Sequence, residues 1–276
     1  MARAPEGYCH ICGCYGALTF EHSPPDAAFN DRPIVLTNIC ELLKRGDLDD
    51  LRGRTQRRGA GGYTLCNRCN SLTGHWYGGA FARWAHQGME VGKATHGYPT
   101  LIYPFSIFPL RVIKQILCMF FTANGIEFGR AHPDLVKLVL NRDAKFLPSN
   151  IRVYAFYALS NRARSAGITG LLRFAGDRQG SCLLSEVTFP PFGFVMTVDS
   201  EPPDRRLCDI SSFAEYEYKD WYAGVGMRLP IFSVYTPYPG DYRPRDQILA
   251  GVQLSRITST ASNSPRQIAI VVSIAS

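Results

Sequence analysis

Long apolar runs are missing from this chain. No stretch of about eighteen consecutive hydrophobic residues occurs, because even Val112–Phe121 is broken by Lys114 and Gln115, so a membrane-spanning helix of ordinary length is not expected. The first residues, Met1-Ala2-Arg3-Ala4-Pro5-Glu6, lack the apolar core of a signal peptide. An even set of cysteines is missing too. The chain has nine, four of them in two close pairs, which suits a reducing compartment better than a disulfide framework. The expected location is the cytoplasm, without a membrane partner. No internal repeat is found. Acidic residues are absent from one stretch, 51–68, where Arg52, Arg54, Arg57, Arg58 and Arg68 accumulate.

What is there suffices for a sizeable core: 276 residues, 46% hydrophobic, read as a globular chain of two domains. The formal net charge of +7 favours a polyanionic partner, but outside 51–68 the excess is spread thinly. That arginine stretch reads equally as a solvated loop or as a grip on phosphates.

The close pairs, Cys9-x-x-Cys12 and Cys66-x-x-Cys69, have the spacing of two zinc knuckles, each a tight turn offering two thiolates to one tetrahedral ion at about 2.3 Å. Cys14 and His10 flank the first pair as alternative ligands, and equal spacing of the pairs favours Cys9 and Cys12. Cys40, Cys118, Cys182 and Cys208 read as core or inert thiols. A structural zinc at the paired cysteines would draw the end of Leu18–Glu21, carrying His22, against Asn70, just past the last cysteine.

Along the chain, residues 8–21 read as a hairpin holding the first knuckle, with a strand Ala17–Glu21 stopped by Ser23-Pro24-Pro25. Thr37–Lys44 reads as a helix with Ile39, Leu42 and Leu43 on one face, and the Arg/Gly-rich 52–62 as an exposed loop. A helix is expected from Asn70 to about Gly88, striped by Trp76, Phe81 and Trp84, and a boundary within Gly92–Pro99. Pro109–Thr122 reads as a buried helix and His132–Leu140 as a second. Beyond them Val153–Leu159, Gly170–Phe174, Leu183–Phe189, Phe194–Val198, Leu229–Val234 and Ile268–Ile274 read as strands, and 257–265 as a flexible link. The fold class is therefore α+β: a zinc-bound unit over residues 1–95, then a mixed, mainly β unit over 100–276.

Cleaving a phosphodiester takes a hard divalent cation, to neutralise charge in the transition state, and a neutral imidazole to accept a proton from water. Glu21 offers a carboxylate, Asn70 a carbonyl oxygen and His22 the imidazole, a set that suits Mg²⁺ or Mn²⁺. Successive strand residues face opposite sides, so Glu21 and His22 serve one site only if the strand ends or bends there, as Ser23-Pro24-Pro25 suggests. Asn70 also reads as a helix N-cap, and His75, beside Trp76 and Tyr77, as a partly buried packing residue.

Cys9-x-x-Cys12, Leu18-Thr19-x-Glu21-His22-x-x-Pro25 and Leu65-Cys66-x-x-Cys69-Asn70 together resemble the HNH (ββα-metal, or His-Me finger) endonucleases, in the zinc-stapled, treble-clef-like branch that includes phage junction-resolving enzymes. The resemblance covers roughly residues 8–90. It implies that Glu21 and Asn70 hold the catalytic divalent ion, that His22 activates water, and that the zinc is structural. Many members carry an asparagine before the second knuckle that orients the base; Arg58–Tyr63 contains none, so a backbone carbonyl is expected to orient His22.

Past residue 100, the segments Val187–Phe194, Asp204–Asp209 and Tyr235–Arg243 mix aromatics with arginines, as turn chemistry or as a base-stacking surface. Two functions follow. One is a metal-dependent endonuclease acting on DNA, by analogy a mobile-element or anti-phage defence effector, whose second half chooses targets, binds a protein partner or pairs with a second copy. The other is a zinc-stabilised module that binds nucleic acid or protein without catalysis.

Overall fold

Proline and glycine fix where the first strands stop. In the computed structural model, which describes residues 4–45, 49, 52–94, 98–175, 178–250 and 271–273, β1 (Glu6–Tyr8) pairs antiparallel with β2 (Tyr15–His22) around a turn in which Gly13 takes a φ of 73°. β2 ends at His22, directly before Ser23-Pro24-Pro25. The chain then forms β3 (Ile34–Leu36), α1 (Ile39–Arg45) and β4 (Arg54–Gln56), and the two strands pair with each other. β5 (Gly61–Cys66) returns to β2, with Cys66 opposite Leu18 and Gly61 opposite His22. It runs straight into α2 (Asn67–Thr73), and a π-helical turn at Gly74–Gly78 joins α2 to α3 (Gly79–Lys93).

Two local expectations change here. The helix begins at Asn67 rather than Asn70, because Cys66 occupies its N-cap and the fourth cysteine lies in its first turn. The 52–62 stretch is not all loop: its arginine side chains are exposed, but Arg54–Gln56 pair with Ile34–Leu36 through their backbone.

Next come β6 (Thr100–Ile107), α4 (Pro109–Asn124), α5 (Ile126–Ala131) and α6 (Pro133–Leu140). Pro109 and Pro133 stand in first turns, where a missing amide N–H is no loss. Every residue of α4 from Val112 to Phe121 is buried, so this helix is the central one of the molecule. Its Lys114 survives burial because Nζ donates to the carbonyls of Asn141 at 2.8 Å and Arg142 at 2.9 Å, just past the end of α6. Burial still lowers the Lys114 pKa from 10.5 to about 8. Between those values the unfolded chain holds a proton that the folded chain has released, so stability rises with pH across the window. Urea unfolding at its two ends is expected to show that rise, and to show a smaller one in Lys114→Met.

The remaining strands are β7 (Ile151–Tyr157), β8 (Arg164–Ala175), β9 (Arg178–Phe189), β10 (Phe192–Val198), β11 (Cys208–Asp209), β12 (Tyr222–Pro230) and β13 (Val271–Ser273). Six of them make one sheet in the order β11-β7-β10-β9-β8-β13, while β12 pairs with β6. β10 is buried at every position, as a strand covered on both faces must be. One face packs on α3 and α4, where the Trp84 ring stacks on Phe192 at 4.2 Å between centroids. The other face, with Phe156 and Val195, is covered by Phe232, Val234 and Tyr242. A single buried cluster runs from Cys9, Leu65 and Cys69 through Trp84 and Ile113 to Phe192 and Phe194.

The fold is thus mixed α+β with several sheets. β6 had no counterpart among the expected elements, since Pro104 breaks the pattern; it fits because among the described residues β6 pairs only with β12, Pro104 lying opposite Gly226. The expected strand Leu229–Val234 ends at Pro230. The proposed link 257–265 lies outside the described residues, as do 95–97 of the boundary and all of Ile268–Ile274 except Val271–Ser273. Among the described residues, no helix is long and apolar enough to cross a membrane.

Candidate metal centre

The pairing of β2 with β5 places Cys66 beside Leu18, and the turn after β1 brings the first knuckle over it: the His10 amide donates to the Thr64 carbonyl at 2.9 Å. The sulfurs of Cys9, Cys12, Cys66 and Cys69 then all lie within 4.8 Å of one another. A tetrahedral site with about 2.3 Å to each sulfur has edges of about 3.8 Å, and Cys12 Sγ sits 3.8 Å from Cys66 Sγ. The Cys69 thiol and the amides of Cys12, Cys66 and Ile11 donate to the Cys9 sulfur, which holds Cys9 well below the ordinary thiol range; Cys69 is pushed up as the donor. Four sulfurs in this geometry are a fit for one structural zinc ion. Cys14 is exposed and His10 stays outside the cluster, its buried Nδ1 without a partner among the described residues. Of the other thiols Cys118 and Cys182 are buried, Cys208 is half-buried, and Cys40 is exposed rather than in the core.

Next to the cluster, β2 presents two faces. Thr19 faces α2: its hydroxyl donates to the Leu65 carbonyl at 2.9 Å and accepts from Asn70 Nδ2 at 2.9 Å. Asn70 Nδ2 also donates to the Phe20 carbonyl at 3.2 Å, so the amide nitrogen is held against β2. Asn70 lies inside α2, so it is not the N-cap. Glu21, two residues from Thr19, lies on the same face and is 8% exposed. Burial and the nearby Asp26 push its pKa up from 4.5 to about 8, and nothing nearby lowers it. A buried carboxylate with another acid as neighbour is stabilised by any positive charge brought to it.

His22 lies on the opposite face. Its ring packs edge-on to Phe20 at 5.0 Å, and Phe20 meets Tyr63 at 5.5 Å. Arg58 covers this face, its guanidinium 5.0 Å above the Phe20 ring and its Nη1 3.3 Å from the Tyr63 hydroxyl. Arg52, Arg54, Arg57 and Arg68 are exposed as well. His75 is exposed rather than packed. Among the described residues no hydrogen bond reaches the His22 ring, so the expected carbonyl partner is not found.

The strand end is set by residues that sequence reasoning missed. Asn30, 1% exposed, donates from Nδ2 to the carbonyls of Pro24 at 2.6 Å and Ala60 at 2.7 Å, and its Oδ1 accepts from the Ala60 amide at 2.6 Å. It ties the turn after His22 to the start of β5. Gly61 (φ 149°) completes this close approach, since a Cβ there would stand 2.0 Å from the Glu21 carbonyl. The only signal for Asn30 was a polar residue between Phe29 and Asp31, indistinguishable from a loop. Neither a family model, nor a curated protein, nor a solved structure matches the chain.

Proposed function

We propose that this chain is a metal-dependent endonuclease of the HNH kind, built on β2, β5 and α2 and stapled by zinc at Cys9, Cys12, Cys66 and Cys69. What supports the reading is a buried Glu21, with no neighbour lowering its pKa, on the strand to which Asn70 of α2 is hydrogen-bonded and whose last residue is His22. Glu21 and Asn70 hold Mg²⁺ or Mn²⁺, which when bound supplies positive charge against the phosphate oxygens. A phosphodiester crossing the end of β2 meets those two residues from one side and His22 from the other. His22, held at the strand end by Phe20, takes the proton of the attacking water. Arg58, beside Phe20, and the exposed Arg52, Arg54, Arg57 and Arg68 hold the DNA backbone without reading its sequence. The 100–276 portion then serves target choice, partner binding or control, and anti-phage or mobile-element use is the biological setting this architecture suits.

Supercoiled plasmid with added Mg²⁺ or Mn²⁺ is expected to be nicked, and His22→Ala to slow cutting by about a hundredfold or more with zinc content unchanged. Glu21→Gln is expected to abolish the metal-stimulated cutting. Equal cutting by His22→Ala, or none by the wild-type chain with either metal, would sink the reading and leave a zinc-stabilised binding module.

A further inference from the structure

Away from Glu21, α3 borders a cleft of about 440 Å³ whose walls include Arg83, Gln87, Phe108 and Trp221. Its floor is fixed, because the Gln87 side chain bonds the Ser106 backbone twice, each at 2.8 Å. Trp221 is 54% exposed at the rim. From the cleft wall at Arg83 and Phe108, guanidinium groups and rings alternate outward, and Arg111 Nε donates to the Tyr218 carbonyl at 2.8 Å. Arg83 and Arg111 lie over the Phe108 ring at 4.9 and 4.5 Å, Arg111 also over Tyr218 at 4.1 Å, and Arg142 over Tyr218 at 5.4 Å. Among the described residues no carboxylate pairs with Arg83 or Arg111, whereas Arg142 reaches Asp143 at 3.4 Å and the nearby Glu217 is taken by Lys145. Arg83 and Arg111 thus stand without a carboxylate partner among the described residues, while Asp220, next to Trp221 in sequence, accepts from the Glu217 amide at 2.9 Å.

An exposed ring next to unneutralised guanidinium groups fits a ligand that brings a flat π face and an anion together. A base inside a duplex has its faces covered by its neighbours, whereas a base of a single strand offers one to Trp221. We propose that this cleft holds a single-stranded stretch of nucleic acid, one base stacked on Trp221 and its phosphates along Arg83 and Arg111. This goes beyond the Glu21 reading, since no lining residue of the cleft belongs to β2, β5 or α2, and depends on it only for what becomes of the strand.

Fluorescence anisotropy with the full chain, a labelled oligothymidylate and no added divalent cation tests it. The oligothymidylate is expected to bind more tightly than a duplex of equal length. Trp221→Ala is expected to weaken binding by about 5- to 150-fold, the range one stacked base commands, while Trp221→Phe keeps most of it. Arg83→Ala should lower the salt slope by about 0.7. Unchanged affinity in Trp221→Ala, equal or stronger duplex binding, displacement by thymidine monophosphate at equal nucleotide concentration, or an acidic peptide binding in place of the strand would each overturn it. Strand binding by a wild-type chain that does not cut plasmid would leave this inference standing and remove the nuclease reading.

Discussion

Replacement of Cys69 by serine is expected to cost the protein its fold. The four sulfurs join the turn after β1 to the start of α2, and two of them, Cys9 at 0% and Cys69 at 2% exposure, lie in the central buried cluster. A structural zinc in such a setting contributes an apparent ~10–16 kcal/mol, against a total stability of ~5–15 kcal/mol for an ordinary domain. A serine oxygen in place of the Cys69 sulfur leaves the ion three thiolates and puts an unpaired hydroxyl in the core. The purified wild-type chain is expected to carry one zinc per molecule by atomic absorption and to lose its near-ultraviolet dichroism on chelation; Cys69→Ser is expected to lack both. Cys14→Ser, at the exposed neighbouring thiol, is expected to change neither. A metal-free wild-type chain that keeps its dichroism would end the zinc assignment.

Glu186→Ala is the second large loss expected, about 3–5 kcal/mol in urea unfolding. Glu186 is wholly buried in β9 and Arg164 nearly so in β8, and both Nε and Nη2 of the arginine donate to Glu186 Oε1, at 2.8 and 2.6 Å. The Thr188 hydroxyl donates to the same oxygen at 2.7 Å, while Oε2 accepts from the Gly240 amide at 2.8 Å and the Tyr242 hydroxyl at 3.2 Å. Arg164 Nη1 in turn donates to the Thr236 carbonyl at 3.0 Å. The pair thus docks residues 236–242 on the sheet, and removing the acid strands a buried guanidinium. Arg164→Met combined with Glu186→Leu is expected to cost less than Glu186→Ala alone, because no charge is left unpaired. A double substitution costing as much as the single one would show that shape, not charge, holds this segment.

The parts of the fold legible in the sequence were those whose cause is local. The cysteine pairs announce themselves by spacing, the β2 stop by Ser23-Pro24-Pro25, and α4 by its apolar positions Val112, Ile113, Ile116, Leu117, Met119 and Phe120. The rest depended on partners distant in the chain. Pro104 argued against a strand until β12 was seen to pair only one side of β6. Helix α2 takes in the second knuckle because β5 delivers Cys66 as its cap, which spacing alone does not tell. At the candidate site the sequence offered Glu21, His22 and Asn70 as residue types, but not the buried state of Glu21, which α2 and α4 impose. Nor did it offer Asn30, whose clamp on Ala60 spans thirty positions.

The stacking of Trp84 on Phe192 ties the zinc-cluster half of the chain to the large sheet. The tryptophan belongs to the helix that continues from the second knuckle, and the phenylalanine to the middle strand of the large sheet, with no solvent between them. Dense packing of this kind is nearly incompressible. A smaller ring at either position therefore opens a void between α3 and β10 that the close-packed surroundings fill only in part.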